Sequence, residues 1–249
     1  MFRQAKLAIG LAAISSAGFG FLGFTPSASA FVFNGTTVDD ISADDVGNSF
    51  IINFDGNVNE TDVDGLTSWA KFTLESFTGT EATFGIELKN TSTGNITSRT
   101  SALGFDIDGA TVNNASVAAG GLFKKGHING AFPNGFGDIE TCFTDGNNCQ
   151  GGGNGGVSTD DPASTFTATV QLTESVENFA LSNFGVRYQS IDGDGFNGAS
   201  GTGRATPYYE APPAQSIPEP NTVTAVLLSG FALVQQRRRK QVTNSQANR

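Results

Sequence analysis

The stretch ATFGIELKN, residues 82–90, alternates apolar side chains with polar ones or glycine. Phe84, Ile86 and Leu88 share one face of an extended chain, because successive side chains of a β-strand point to opposite sides. An apolar face packs on a core and a polar face meets water, which is typical of antiparallel sheets. The stretch therefore predicts a half-buried β-strand.

The same period of two recurs through the middle of the chain. It is strict in AKFTLES (70–76) and TFTATVQL (165–172), and looser in SFIINFD (49–55), ALGFDID (102–108) and NFGVRYQ (183–189). Turns rich in Gly, Asn, Asp and Thr separate these runs, and none of them shows a sustained helical stripe. We therefore predict an all-β domain, an antiparallel β-sandwich for which a jelly roll is one arrangement. The 21 phenylalanines would supply much of its core.

The N-terminus has the three parts of a secretory signal peptide. A positively charged start precedes an apolar run at 7–24, and Ala28 and Ala30 then form a small-residue exit. This order predicts a signal helix over residues 1–30 that signal peptidase removes.

The C-terminus combines a proline motif, a short apolar stretch and a basic cluster. The apolar stretch covers 222–234, and as a helix it would span about 20 Å, against a hydrocarbon core of roughly 30 Å. Basic residues that follow an apolar helix stay cytoplasmic, which places the upstream chain outside the inner membrane. The motif is Pro218, Glu219 and Pro220, and the cluster is Arg237, Arg238, Arg239 and Lys240.

This tail, at 218–240, resembles the PEP-CTERM sorting signal of Gram-negative bacteria. The resemblance implies transient insertion into the inner membrane, cleavage by an exosortase-type protease, and release to the outer envelope or extracellular matrix. An ordinary tail anchor is the alternative. A proline-rich linker is predicted at 211–217 and a disordered polar tail at 241–249.

The predicted β-sandwich domain, residues 31–210, is strongly acidic and long enough to bury one core. Within 31–220 there are seven lysines and arginines and all 24 acidic residues, so the exported part carries a net charge of −17. Such a surface repels nucleic acid and anionic lipid, and it attracts divalent cations and basic partners. The charge argues against a nucleic-acid-binding function.

The segment TCFTDGNNCQGGGNGGV, residues 141–157, contains the only two cysteines, Cys142 and Cys149. Two thiols in a protein exported to an oxidising compartment favour a disulfide. A zinc site would need more ligands, and the sole histidine, His127, lies in a glycine-rich segment that we interpret as a loop. The CxxC redox motif and the GxxxxGK[ST] phosphate loop are absent. The segment predicts a glycine-lined loop closed by a disulfide.

Two stretches carry a second resemblance, NGFGDIETCFTDGNNCQGGGNGGV and LSNFGVRYQSIDGDGFNGASGTG. They resemble the signature stretches of the "cistern" family of PEP-CTERM proteins. The resemblance implies an exported protein with this sorting tail, and it brings no assigned activity. The matching positions are Cys142, Cys149, Gly151 to Gly153, Arg187, Tyr188, Gln189 and Ser190.

Two acidic loops are candidate calcium sites, because hard cations prefer oxygen ligands. In SIDGDGFNG (190–198), Asp192 and Asp194 could chelate together with backbone carbonyls. The loop FDGNVNETDVDG (54–65) is similarly rich in oxygen donors but does not match the EF-hand pattern. Ordinary Asp-Gly turns are the competing interpretation, and the one we favour.

Carbohydrate binding is suggested by the predicted fold, because β-sandwiches often present aromatic side chains to sugars. An exported protein would also meet a polysaccharide-rich matrix. This argument is an analogy with other proteins of similar fold. The polar aromatic residues available for it are Trp69, Tyr188, Tyr208 and Tyr209. We expect Trp69 to be half-buried, because it neighbours alternating core residues.

Catalysis has weaker support in the sequence. A serine triad needs a histidine, and no motif surrounds a serine near His127. A glycosidase needs two carboxylates at a cleft, but Asp106 and Asp108 are expected on the solvent face of a strand.

We therefore predict an exported, non-catalytic protein with a structural or adhesive role and no required cofactor. The alternatives are a calcium- or carbohydrate-binding module, with extracellular polysaccharide as partner, and a secreted hydrolase.

Overall fold

A computed structural model of the chain describes residues 32–150 and 153–207. These residues form fifteen β-strands and one short 3-10 turn, Ala43–Asp45, which confirms the all-β prediction. Within them, no helix is long and apolar enough to cross a membrane. The strands are β1 Val32–Phe33, β2 Val38–Ser42, β3 Ser49–Phe54, β4 Asn57–Val58, β5 Thr61–Asp62, β6 Ser68–Phe77, β7 Glu81–Asn90, β8 Thr97–Asp108, β9 Val112–Val117, β10 Lys125–Phe132, β11 Gly137–Thr144, β12 Val157–Ser158, β13 Ser164–Leu172, β14 Asn178–Gly193 and β15 Phe196–Arg204.

The predicted signal peptide, linker, sorting signal and polar tail lie outside the described residues. The positions assigned to them from the sequence therefore stay predictions. They include Ala28 and Ala30 at one end, and the Pro-Glu-Pro motif and basic cluster at the other.

The strands form two sheets in which the paired strands run antiparallel. The large sheet has ten strands, with the main order β10-β11-β8-β14-β15-β4-β5. The small sheet has five, in the order β3-β6-β7-β13-β9. The hairpins β6–β7, β10–β11 and β14–β15 each join neighbours within one sheet. This order differs from the eight-stranded double Greek key of a jelly roll.

Phenylalanine rings from the two sheets meet in the core between them. Phe72 of the small sheet lies 5.5 Å from Phe184 and 5.9 Å from Phe105 of the large sheet, measured between ring centroids. Phe84 lies 6.3 Å from Phe105. All four side chains are buried. The two sheets thus pack face to face as a sandwich, with an aromatic layer between them.

The alternation in the sequence matches the burial of each strand. Along β7 every second residue is buried, and the intervening residues, including Glu87 and Lys89, are partly exposed. In β6 the same pattern leaves Trp69 half-buried on the outer face of the small sheet, as predicted. The outer face of this sheet is therefore polar, and it is the surface on which the candidate site lies.

Candidate functional site

A disulfide joins Cys142 at the end of β11 to Cys149 in the following loop, with the two Cα atoms 5.8 Å apart. This confirms the predicted pairing. Both cysteines are buried, in a small apolar cluster separate from the main core. Gly130 of β10 passes directly beneath the bridge, where a Cβ atom would overlap the sulfur of Cys149. The other members of the cluster are Ala102, Phe132, Phe136 and Ile139.

Two lysines attach the loop between the cysteines to the start of β10. Lys124 Nζ lies 2.7 Å from Asp145 Oδ2, in an ion pair whose aspartate side chain is only 9% exposed. Lys125 Nζ donates to Asn147 Oδ1 at 2.6 Å. The other oxygen of Asp145, Oδ1, is buried and has no hydrogen-bond partner among the residues that the structure describes. The loop is thus held by charge as well as by the covalent bridge.

The single histidine is part of this attachment. The interpretation of its segment as an exposed loop is wrong, because His127 lies within β10, opposite Cys142 in the β10–β11 ladder. It is half-buried, and its Nε2 lies 3.2 Å from the carbonyl oxygen of Gly146. The glycines of the segment are typical of a loop, but its pairing with β11 stabilises it as a strand.

A buried arginine, Arg187 of β14, organises the segment that follows the disulfide. Its side chain is 7% exposed, and it donates to the carbonyl oxygens of Gln150 at 3.1 Å, Tyr188 at 2.8 Å and Gly201 at 2.6 Å. Burial lowers the pKa of Arg187 to about 10, so the guanidinium remains charged at neutral pH. Among the described residues, backbone carbonyls rather than a carboxylate stabilise this cation.

A second arginine, Arg99 of β8, contacts the glycine-rich stretch. Its Nη1 donates to the carbonyl oxygens of Gly153, at 3.0 Å, and Gly155. Its Nη2 donates to Gln189 Oε1 at 3.2 Å. Burial lowers the pKa of Arg99, and the negative charge of Asp145 opposes that shift.

The two stretches that carry the "cistern" resemblance therefore contact each other in space. Arg187 donates a hydrogen bond to the carbonyl of Gln150. The guanidinium of Arg99 donates to both Gln189 and Gly153, and so bridges the two stretches. Sequence reasoning could not find this contact, because the stretches are far apart along the chain.

We expect the substitution Arg187→Lys to lower the free energy of unfolding by about 1–2 kcal/mol, because a lysine keeps the charge but its single nitrogen cannot replace both Nε and Nη1, from which Arg187 donates to three carbonyls. Urea unfolding of the full chain measures this. Lys71→Arg, at a partly exposed position on the outer face of the small sheet, is the control and should change stability by less than about 0.5 kcal/mol. If Arg187→Lys were as stable as the parent chain, the hydrogen bonds from the Arg187 guanidinium to the three carbonyls would not stabilise the fold.

The predicted calcium ligands Asp192 and Asp194 lie at the hairpin between β14 and β15. Asp194, with φ 47°, and Gly195, with φ 93°, form its tip, as in a tight hairpin turn with positive φ at both central residues. Asp192 Oδ1 accepts a hydrogen bond from the backbone N–H of Gly198 at 2.8 Å, and Asp194 Oδ1 accepts one from Asn95 Nδ2 at 3.1 Å. One oxygen of each carboxylate thus already has a protein donor, and joint chelation of calcium stays the alternative to an ordinary Asp-Gly turn.

The acidic segment 54–65 lines a pocket of about 370 Å³. Asp55 Oδ1 accepts the backbone N–H of Arg204 at 2.8 Å, and Arg204 itself lines the pocket. This positive charge offsets the carboxylates around it. Within the described residues, no group of three or more His, Cys, Asp or Glu side chains is arranged to hold a metal ion. The other acidic or amide residues of the pocket are Asn57, Glu60, Asp62 and Asn134.

The aromatic residues considered for sugar stacking have different positions. Tyr188 cannot form a platform, because it is fully buried in the core and its hydroxyl donates to the carbonyl of Asp55 at 3.1 Å. Tyr208 and Tyr209 lie outside the described residues. Trp69 alone is placed on a partly exposed face.

A groove of about 540 Å³ lies on the outer face of the small sheet, within the roughly 300–1,000 Å³ of small-ligand sites. We call it the outer-face groove. Strands β6, β7 and β13 form its floor, and the segment 118–121 after β9 forms one wall. Its polar floor residues are Lys71, Thr73, Glu75, Glu87, Thr165 and Thr167.

A glycine in the middle strand creates the depth of this groove. Gly85 lies directly opposite Thr73 on one side and Thr167 on the other. The carboxylate of Glu75 lies over Gly85, where a Cβ atom would overlap it. The register shift between Leu74 and Ser76 in β6 allows Glu75 to reach across in this way.

Three charged side chains in the groove have no partner among the described residues. Lys71, Glu75 and Glu87 make neither a hydrogen bond nor an ion pair there through their charged groups. Lys71 and Glu87 lie directly opposite each other in the β6–β7 ladder. Among the described residues, one cationic donor and two carboxylates of the groove are thus without a partner and can meet a ligand.

The alternation in the sequence placed these side chains on outer faces, but it could not show which strands would be neighbours.

No protein-family model matches the chain, and no curated protein or solved structure matches it either.

Proposed function

We propose that the protein is an exported, non-catalytic component of the outer envelope or extracellular matrix, where it has a structural or adhesive role by contacting matrix polysaccharide. The observation that carries the proposal is the outer-face groove, in which Lys71, Glu75 and Glu87 have no partner among the described residues. Free donors and acceptors in a concave surface are suited to the hydroxyl groups of a sugar chain. The mixed charge of the groove also lacks the positive excess that nucleic acid needs.

The proposed route of export rests on the two ends of the chain. Signal peptidase would cut after Ala30, and an exosortase-type protease would recognise the PEP-CTERM tail at 218–240. The disulfide between Cys142 and Cys149 is compatible with this route, because such bridges persist in oxidising compartments.

Intact mass measured on the native protein tests this route. We expect the protein from the medium or matrix fraction to lack both the first 30 residues and everything beyond the Pro-Glu-Pro region. We also expect it to be about 2 Da lighter than the thiol form, since two hydrogens leave when the disulfide forms. A membrane-bound species that retains Arg237 to Lys240 would instead show a permanent anchor and contradict release.

A further inference from the structure

We propose that the outer-face groove binds an amino-sugar polysaccharide with free amino groups, that is, a deacetylated polymer rather than a neutral or acidic one. This inference rests on the proposed contact between the groove and matrix polysaccharide, and it names the chemical class of the ligand.

The charges in the groove favour a cationic ligand. Glu75 and Glu87 outnumber Lys71, so the groove carries a net negative charge. Neither carboxylate has a partner among the described residues. An ammonium group bound between them would form charge-assisted hydrogen bonds, which are roughly twice as strong as neutral ones. Lys71 and the hydroxyls of Thr165 and Thr167 remain for the hydroxyl groups of the sugar.

The apolar surface of the groove is too small to favour a neutral polysaccharide. Its two large apolar residues, Ile86 and Phe166, are only 1% and 3% exposed. The wall at 118–121 offers alanine and glycine alone. A neutral sugar would thus rely on hydroxyl hydrogen bonds, which exchange with those of water for little net gain.

The charge of the whole domain disfavours an acidic polysaccharide. The exported part carries −17, so a polymer of uronic acids meets repulsion as it approaches and a polyamine meets attraction. This long-range attraction is common to the whole surface, and the contacts at Glu75 and Glu87 would make the groove the specific site.

A matched pair of oligosaccharides tests the inference on the full-length chain. Oligomers of glucosamine and of N-acetylglucosamine, with equal length and linkage, differ only in the acetyl groups that remove the charge. The single tryptophan of the chain, Trp69, lies on the same face of β6, two residues before Lys71. Its fluorescence, together with calorimetry, reports binding.

We expect the free-amine oligomer to bind about tenfold more tightly than its acetylated counterpart. Glu75→Gln and Glu87→Gln should each weaken that binding by about tenfold. Glu177→Gln, which removes the same charge from an exposed position outside the groove, should change it by less than about twofold. Circular dichroism and urea unfolding verify that the variants remain folded.

Three outcomes would overturn the inference in different ways. Equal binding of the two oligomers would refute the amino-sugar class while the polysaccharide contact stood. Equal weakening by Glu177→Gln and Glu75→Gln would show diffuse attraction to an acidic surface. If neither oligomer bound, dextran and alginate would be tried: binding of either refutes the class alone, and binding of none refutes the polysaccharide contact as well.

Discussion

Replacing Phe72 by alanine is expected to lower the free energy of unfolding by about 3–5 kcal/mol, the usual cost of removing a buried aromatic ring. Phe72 has no exposed surface. Its ring stacks on Phe50 with 5.0 Å between centroids, and meets the edges of Phe184, Phe105 and Phe84 at 5.5, 5.9 and 6.4 Å. Because these rings come from both sheets, the alanine variant would leave a cavity in the layer that joins them.

Urea unfolding of the full chain, followed by circular dichroism, measures this loss as a lower midpoint at an unchanged slope. The control is Val46→Ala, because the Val46 side chain is 47% exposed and its loss should cost less than about 0.5 kcal/mol. Phe72→Leu should have an intermediate effect, since it fills part of the cavity. A cost below about 1 kcal/mol for Phe72→Ala would show that the aromatic layer does not join the sheets.

Removing the disulfide with the double variant Cys142→Ala, Cys149→Ala is expected to cost about 2–3 kcal/mol. Six residues lie between the cysteines, and opening so short a loop restores that much conformational freedom to the unfolded chain. Loss of the buried sulfur atoms from the small apolar cluster acts in the same direction. Replacing both cysteines avoids leaving a free thiol.

The midpoint of urea unfolding, compared between the parent chain and the double variant, checks this expectation. Thiol quantification supplies the control. Because both sulfurs are buried, a mild reductant should leave the bridge of the native protein intact and should reduce it only when urea unfolds the chain. An unchanged midpoint would contradict a stabilising role, and free thiols in the untreated protein would contradict the bridge itself.

The sequence predicted the strands and their buried faces well, and it predicted the disulfide correctly. Neither depends on which strands are neighbours in a sheet. The period of two in β6, β7 and β13 follows from the extended backbone, and with only two cysteines in the chain there is a single possible intramolecular pairing. His127 shows where local information failed, because its glycine-rich segment resembled a loop and yet forms β10.

The candidate site was predicted only in part. The alternation indicated that Lys71, Thr167 and Glu87 would face away from the core, but it could not bring them together. Their proximity depends on β7 lying between β6 and β13, with Gly85 opposite Thr73 and Thr167. Tyr188 was considered as a sugar platform, and the packing of the core instead surrounds it completely.

The sequence alone determined which side of each strand is apolar, and with it the residues that supply the aromatic core, because alternation depends on neighbours along the chain. It also determined which cysteines can pair, because it contains only two. It also predicts export and sorting from the two ends. Only the tertiary structure decided the order of the strands, the outer-face groove and the hydrogen bonds that Arg99 and Arg187 donate to backbone carbonyls. These features join residues far apart in sequence, and the periodicity of a strand does not specify its partner in a sheet.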